Sequence, residues 1–259
     1  MSPLVALVSA VLVAGLAWRA GGLTIGGLTA AVLVGSGVLL AQGWSGGLVL
    51  LAFFIPTSLV SRFLPDTTVR LDAKGNKRDA WQVLANGGAA TLGALCWPHH
   101  VTGMVVMTAA FAAAAADTWA TSWGSGSTMP PRSILTGEVV PSGTSGGITA
   151  RGTAGAVAGA AVVALTGAVV TRSWILGLIA VSAGVLGMLA DSLLGARWQA
   201  RYYCVTCDRP TEQARHRCGT ASQLRGGLRW LGNDAVNACA TALAALTALV
   251  LSLALVKPQ

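Results

Sequence analysis

The sequence predicts an all-α integral membrane protein, a polytopic bundle of about eight transmembrane helices with a small cytoplasmic Cys/His loop. Of the 259 residues, 54% are hydrophobic and only 10% are charged, whereas soluble domains carry about 25% charged residues. The mean hydropathy is +0.66, and there are only five cysteines. These values exclude a soluble globule, a disordered chain and a disulfide scaffold. We therefore treat residues 1–259 as a single integral membrane domain.

Eight apolar segments, each close to the length of about 20 residues that crosses a bilayer, account for most of the chain. Backbone groups in lipid must be hydrogen-bonded within the segment, so each one is predicted to be a helix. The segments are 3–18, 23–41, 45–61, 80–97, 101–123, 151–170, 173–195 and 229–256. All nine tryptophans lie near segment ends, where indole rings favour the membrane interface.

The basic residues orient the predicted bundle. Of the 17 Lys and Arg residues, all except Arg172 and Lys257 fall in loops that share one side of the membrane. By the positive-inside rule this side is cytoplasmic and both termini are external. The net charge of +8 therefore indicates membrane topology and not a nucleic-acid partner. Abundant Ala, Gly, Val and Arg with little Lys is typical of a high-GC bacterium, so we expect a bacterial inner membrane.

Polar residues cluster at the predicted cytoplasmic ends of spans 4, 5, 7 and 8. Carboxylates that converge at one depth repel one another unless a cation holds them, and intramembrane acids usually face a cavity or a partner. Oxygen ligands without histidine or thiol suit Mg²⁺. The alternative is that each residue is a helix cap or an interhelical hydrogen bond. The clusters are Asp79, Gln82 and Asn86; Asp117, Thr118 and Thr121; Asp191 and Ser192; and Asn233, Asp234 and Asn237.

The loop between spans 5 and 6 has features of an anion site. Arg132 is followed by Gly143-Thr144-Ser145-Gly146-Gly147 shortly before span 6. A glycine-rich turn that enters a helix exposes backbone N–H groups where the helix dipole favours negative charge. The loop lacks the Gly-Lys-Ser/Thr of a Walker A sequence, and such stretches are commonly only turns. Together with the acids and the basic residues Lys77 and Arg78, it suggests a nucleotide or phosphate pocket.

Five blocks, in the expected order, resemble an integral membrane family, long of unknown function, that includes the plant phytyl-phosphate kinase of vitamin E synthesis. The resemblance implies transfer of a phosphoryl group from a nucleoside triphosphate, CTP or ATP, to an isoprenoid monophosphate, which gives the diphosphate. One position departs from the family, because Ser122 stands where Glu is usual. If that Glu binds the metal elsewhere, Asp191 or Asp234 must compensate here. The blocks are 77–79 with 82–88, 116–121, 131–132 with 143–149, 191–196 and 233–237.

The reaction that the resemblance implies depends on positioning and charge neutralisation, and it gives the following residues predicted roles. Mg²⁺ is predicted to be bound by Asp117, Asp191 and Asp234. Phosphate oxygens or water are oriented by Asn86, Asn233 and Asn237. Charge on the phosphates is neutralised by Lys77, Arg78 and Arg132. The phosphate-binding turn consists of Gly143, Thr144, Ser145, Gly146 and Gly147.

Two other activities stay open at this point. A CTP-dependent cytidylyltransferase acting on a lipid phosphate would use the same components and differ in which phosphorus is attacked. An ion-coupled membrane transporter would also place acids and amides in the membrane, but near the midplane. The polar clusters stop at one membrane boundary, which favours an interfacial enzyme.

The loop of residues 197–228, between spans 7 and 8, carries a possible metal site. Cys204 and Cys207 are followed by His216 and Cys218, which together offer the four N and S ligands of a closed tetrahedral zinc site. A reducing cytoplasmic loop argues against disulfides. The His-x-Cys pair is tighter than the common finger spacing. A structural zinc knuckle is predicted, and free thiols with an incidental histidine are the alternative.

Overall fold

The computed structural model describes residues 1–64 and 77–255. Five of its helices, α2, α4, α5, α6 and α7, are long and apolar enough to cross a membrane, while α1 and α3 have 17 residues each. Arg70, Lys74, Lys257 and the last residue of predicted span 8 lie outside the described residues. The helices are α1 (Pro3–Arg19), α2 (Ile25–Phe63), α3 (Ala80–Cys96), α4 (Val101–Ser125), α5 (Ala150–Thr171), α6 (Trp174–Trp198) and α7 (Asn233–Leu255).

The longest helix, α2, contains a break that bears on the number of spans. Gly43 has φ 61° and ψ −153°, a left-handed conformation that glycine adopts more readily than other residues. The break lies between predicted spans 23–41 and 45–61. Next to it, Gln42 Nε2 donates to the carbonyl oxygen of Trp97 at 2.8 Å, which ties the break to the end of α3. The count of eight spans stays a prediction.

Helix α4 forms the centre of the bundle. Of its most apolar 18-residue window, 83% is buried, against 33–44% in the other four long helices. Glycines on the neighbouring helices allow this close approach: a Cβ on Gly159 would lie 2.9 Å from the Ala115 carbonyl oxygen, and one on Gly184 would lie 2.7 Å from Ala112 Cβ. Small residues at helix contacts are the expected packing device in membranes.

Two half-buried tryptophans pack between α4 and α5. The rings of Trp119 and Trp123 stack with centroids 6.0 Å apart, and Gly155 and Gly159 of α5 lie directly against them. These two indoles therefore contribute to the α4–α5 contact, and their location at the membrane interface stays a prediction.

Two loops contain short strands, which the all-α prediction did not include. In the α4–α5 loop, β1 (Arg132–Ser133) pairs antiparallel with β2 (Gly147–Ile148). Between α6 and α7, β3 (Arg201–Cys204) lies between β4 (Arg209–Thr211) and β5 (Gln223–Gly226). We call residues 200–228 the Cys/His module. Backbone hydrogen bonds tie its ends to α6, from Leu228 N to Trp198 O at 2.8 Å, and to the segment before α7, from Ala200 N to Leu231 O at 2.9 Å.

Candidate functional site

Asp117 and Asp191 lie at the same depth on two neighbouring helices. A Cβ on Gly187 of α6 would lie 2.8 Å from Ala113 Cβ of α4. The two helices run parallel. Asp191 follows Gly187 by four residues, and Asp117 follows Ala113 by four residues, so both acids lie about one turn beyond this contact. The two carboxylates interact electrostatically. Oδ2 of Asp191 is buried and accepts no hydrogen bond from any described residue.

Gln82 of α3 is brought to the same depth. A Cβ on Gly93 would lie 2.5 Å from Val106 Cγ1 of α4. These helices are antiparallel, so eleven residues, about three turns, lead from this contact to Gln82 on one helix and Asp117 on the other. Gln82 also completes a capping box with Asp79, whose side chain accepts from Gln82 N at 2.9 Å. Asp79 thus has the capping role that was one of the two alternatives.

Helix α7 contributes Asn237. Thr241 Oγ1 donates to the Ala85 carbonyl oxygen of α3 at 2.9 Å. Four residues earlier on both parallel helices, Asn237 is level with Trp81, one residue from Gln82, and Asn237 is only 9% exposed. We call Gln82, Asp117, Asp191 and Asn237 the polar layer.

The other predicted site residues on these helices, Asn233, Asp234 and Asn86, lie about one turn to either side of the polar layer. Asp234 and Asn233 begin α7, about one turn nearer to the aqueous end. Asn233 is exposed and Asp234 is half-buried. Asn86 lies one turn deeper, where its Nδ2 donates to the Gln82 carbonyl oxygen of its own helix at 2.9 Å.

A third carboxylate, which the sequence analysis did not single out, lies next to the polar layer. Glu212 directly follows β4 in the Cys/His module. Its Oε1 accepts hydrogen bonds from Ser145 Oγ at 3.2 Å and from Gln199 Nε2 at 3.1 Å, and its charge interacts with Asp191. No hydropathy pattern marks this residue, because it lies in a polar loop. Its one sequence signal is that only it and Asp208 are acidic in that loop.

The glycine-rich loop packs against the end of α6. Gly146 has φ 77°, and a Cβ there would lie 2.3 Å from Ala196 Cβ and 2.6 Å from the Ser192 carbonyl oxygen. Gly143 also has a positive φ, of 85°. The glycines of this loop thus serve its turn and its close approach to the helix that carries Asp191.

Several of the predicted phosphate ligands in this loop use their polar groups locally. The backbone N–H groups of Thr144 and Gly147 donate to carbonyls of the same loop at 3.1 and 2.9 Å. The Arg132 side chain is exposed, and its Nη1 donates to the Gly137 carbonyl oxygen at 2.8 Å. Ser145 is the member of the loop whose side chain contacts an acidic residue near the polar layer.

A largely apolar cavity of about 140 Å³ lies between α1, α2 and α3. On α2 its lining runs from Ala31 to Leu39 and, beyond the break at Gly43, from Trp44 to Phe54. Polar groups on the α3 side are supplied by Arg78, Gln82 and Asn86. Arg78 is held there by the backbone of residues 22–24, since its N–H donates to the Gly22 carbonyl oxygen at 2.9 Å. Burial lowers the pKa of Arg78. Such a guanidinium favours an anionic ligand.

Lys77 and Ser122 do not face the polar layer. Lys77 is exposed and lies beside Trp18 and Arg19 at the end of α1. Ser122 is 8% exposed on α4. It follows Asp117 by five residues, which places it about 140° around the helix from that acid.

The four predicted zinc ligands converge in the Cys/His module. Their ligand atoms all lie within 4.8 Å of one another. Cys204 Sγ is 3.6 Å from Cys218 Sγ, and His216 Nδ1 is 3.1 Å from the same sulfur. Ligands bound at 2.0–2.3 Å to a tetrahedral ion are about 3.3–3.8 Å apart. These residues, Cys204, Cys207, His216 and Cys218, could hold a metal ion such as zinc, and we call them the Cys/His cluster.

Two cysteines of the Cys/His cluster differ in pKa. Hydrogen bonds from Thr220 and His216 lower the pKa of Cys218 to about 6, and the thiolate is the form that binds metals. The hydrogen bond with Cys218 raises the pKa of Cys207 to about 11. His216 Nε2 faces Arg209 Nε at 3.3 Å. A metal on Nδ1 requires the proton on Nε2, so Arg209 has to turn away when a metal binds.

Comparison with known proteins identifies the family. The profile of the family described as integral membrane protein DUF92 matches residues 8–245. An uncharacterized membrane protein of Methanocaldococcus jannaschii is 34% identical over 182 residues, which cover 68% of this chain and 74% of that protein. Protein PGR of Arabidopsis thaliana is 28% identical over 193 residues, which cover 62% of this chain and 67% of PGR. No solved structure matches. The chain belongs to the DUF92 family of integral membrane proteins.

Proposed function

We propose that the protein is a Mg²⁺-dependent membrane phosphotransferase. It transfers a phosphoryl group from a nucleoside triphosphate, CTP or ATP, to an isoprenoid monophosphate, and the product is the diphosphate. The observation that carries this proposal is the polar layer, in which Asp117 and Asp191 approach each other at one end of an apolar bundle. The basic loops lie on the same side of the bundle. With the eight predicted spans, the positive-inside rule makes this side cytoplasmic.

A divalent ion accounts for the arrangement of the two acids. Like charges brought together in an apolar bundle are costly unless a cation neutralises them. The buried Oδ2 of Asp191 accepts no hydrogen bond from a described residue, so it is available as a ligand. Asp117 and Asp191 would hold Mg²⁺, and the buried amide of Asn237 would orient a phosphate oxygen or a water molecule.

The cavity suits the part of the lipid substrate next to its phosphate, because the lining is largely apolar and the volume is about 140 Å³. From Ala31 to Leu39 its lining follows eight residues of α2, which corresponds to ~12 Å of helix. The first part of an apolar chain could lie here with its phosphate at Arg78, and the rest of the chain would extend into the surrounding lipid. Gln82 lines the cavity and also lies at the depth of Asp117, so this head group would be close to the polar layer.

The proposed reaction needs positioning more than proton transfer. A phosphate oxygen of the lipid attacks the γ-phosphorus of the donor, the bond from that phosphorus to the bridging oxygen breaks, and the nucleoside diphosphate leaves. The attacking phosphate is already an anion near neutral pH, so no side chain has to act as a base. Mg²⁺ held by Asp117 and Asp191 would neutralise charge on the phosphates.

The assay combines purified protein, Mg²⁺, labelled CTP or ATP, and phytyl or farnesyl monophosphate. We expect a prenyl diphosphate and a nucleoside diphosphate. Asp117→Asn and Asp191→Asn should each lower turnover by about 100-fold or more, while Glu138→Gln, an exposed acid in another loop, should not. Full turnover in both variants would exclude the metal assignment. Release of pyrophosphate would indicate a cytidylyltransferase, and proton-coupled flux without nucleotide consumption would indicate a transporter.

We also propose that the Cys/His cluster binds a structural zinc ion. The support is the spacing of its four ligand atoms and the low pKa of Cys218. Metal analysis of the purified chain should give about one zinc per molecule, and the double variant Cys204→Ser/Cys207→Ser should lose it. Equal zinc content in both proteins would reject this assignment.

A further inference from the structure

We propose that the Cys/His module is a metal-dependent clamp on the membrane site. Zinc in the Cys/His cluster fixes the strand β4, and Glu212 at the end of that strand holds the glycine-rich loop against α6, one turn from Asp191. Glu212 is thus a positioning residue. Because of it, the position of the glycine-rich loop beside α6, and so near the polar layer, depends on whether the module holds zinc. This inference rests on the zinc binding proposed above but not on the transferase reaction.

The first step runs from the cluster to Glu212. In sequence, Glu212 lies between Cys207 and His216, so a metal bound to both closes a short loop around β4. The strand is also paired with β3, where Cys204 lies opposite Arg209 in the register. A ligand-bound loop of this kind has little freedom, because metal binding at a closed four-ligand site stabilises the fold around it.

The second step runs from Glu212 to the membrane helices. Its Oε1 accepts one hydrogen bond from the loop, through Ser145 Oγ, and one from the end of α6, through Gln199 Nε2. The site is tightly packed, because a Cβ on Gly195 would lie 3.2 Å from Gln199 Oε1 and 3.5 Å from Ser145 Cβ. One carboxylate oxygen therefore joins three separate parts of the chain.

The third step concerns charge. Glu212 adds a negative charge that interacts unfavourably with Asp191, and a neutral side chain at position 212 would avoid this repulsion. Hydrogen bonds to a charged acceptor are stronger than those to a neutral one. The carboxylate thus strengthens the clamp and adds negative potential beside the acids that we propose to bind a cation.

The test is hydrogen exchange of the full-length protein in detergent, read on peptides that cover residues 143–147 and 192–199. Exchange of the zinc-bound wild type is compared with exchange of the wild type after the zinc has been removed by a chelator under reducing conditions. Glu212→Ala removes the clamp. The matched control is Glu138→Ala, because Glu138 is an exposed acid elsewhere in the α4–α5 loop that contains residues 143–147. Zinc content is measured for every sample.

We expect zinc removal to speed exchange of residues 143–147 by about tenfold, the order expected when hydrogen bonds to one charged group are lost. Glu212→Ala should show the fast exchange with its zinc still bound, and chelation should then change it no further. Glu138→Ala should behave like the wild type. This combined result separates a clamp from general loosening of the module.

Three results would overturn the proposal. They are a purified chain that binds no zinc in reducing buffer, unchanged exchange of residues 143–147 after chelation, and wild-type protection in Glu212→Ala. The readout needs neither nucleotide nor lipid phosphate. A protein that passes this test and fails the transferase assay would keep the clamp and lose the proposed reaction, so the two failures are distinguishable.

Discussion

Replacing Gly146 by alanine isolates the contact between the glycine-rich loop and α6, because Gly137 provides a matched control in the same loop. Both glycines have positive φ angles, of 77° and 73°, which cost an alanine about 1 kcal/mol each. Around Gly137 a Cβ would meet no atom within 4 Å, whereas at Gly146 it would lie 2.3 Å from Ala196 Cβ. Overpacking of this kind costs about 1–3 kcal/mol. We therefore expect Gly146→Ala to destabilise the protein by about 2–4 kcal/mol and Gly137→Ala by about 1 kcal/mol.

The free energy of unfolding is measured in detergent micelles by denaturant titration, followed by tryptophan fluorescence. Transferase turnover is measured on the same samples. If the loop is displaced from α6, the end of the helix that carries Asp191 shifts with it, and a 1 Å misplacement can lower a rate by about 100-fold. Gly137→Ala should retain its turnover. Equal destabilisation of the two variants would refute the contact between this loop and α6. Normal turnover in folded Gly146→Ala would show that this contact does not position Asp191.

Three further predictions concern the helices. Asp191→Asn removes the repulsion with Asp117, so in the presence of a chelator this variant should unfold at a higher temperature than the wild type. Added Mg²⁺ should no longer stabilise the variant. A lower unfolding temperature than that of the wild type in chelator would contradict this prediction. Thr241→Val loses the bond to α3 and should cost about 1 kcal/mol, and more than Thr166→Val, whose hydroxyl bonds only within its own helix; equal costs would argue against that contact. Asp234→Asn should lower turnover by less than about tenfold because Asp234 lies one turn outside the polar layer, and a loss as large as in Asp117→Asn would place it among the ligands.

Much of the helical framework could be predicted because a membrane restricts both composition and length. The segments predicted as 101–123 and 151–170 are helices at Val101–Ser125 and Ala150–Thr171. The common depth of Asp117 and Asp191 followed from counting residues along alternating spans. The interruption between predicted spans 2 and 3 coincides with the break at Gly43.

The features that the sequence did not predict depend on contacts between distant segments. Glu212 lies in a polar loop, where no periodicity indicates which way a side chain points, and it approaches Asp191 only because the Cys/His module folds back on α6. The short strands of the loops are set by pairing between segments that the hydropathy pattern does not relate. Asp79 is the type of residue expected at a metal or phosphate site, but it caps α3. The capping role becomes clear only when the position of the Gln82 side chain is known.

Binding of Mn²⁺, a paramagnetic substitute for Mg²⁺, tests the central claim about the polar layer most directly. Electron paramagnetic resonance of the purified protein should show a bound ion that Mg²⁺ displaces. Asp117→Asn and Asp191→Asn should each weaken this binding by about tenfold or more, while Glu138→Gln should leave it unchanged. Undiminished Mn²⁺ binding in both aspartate variants would show that these carboxylates do not hold the ion.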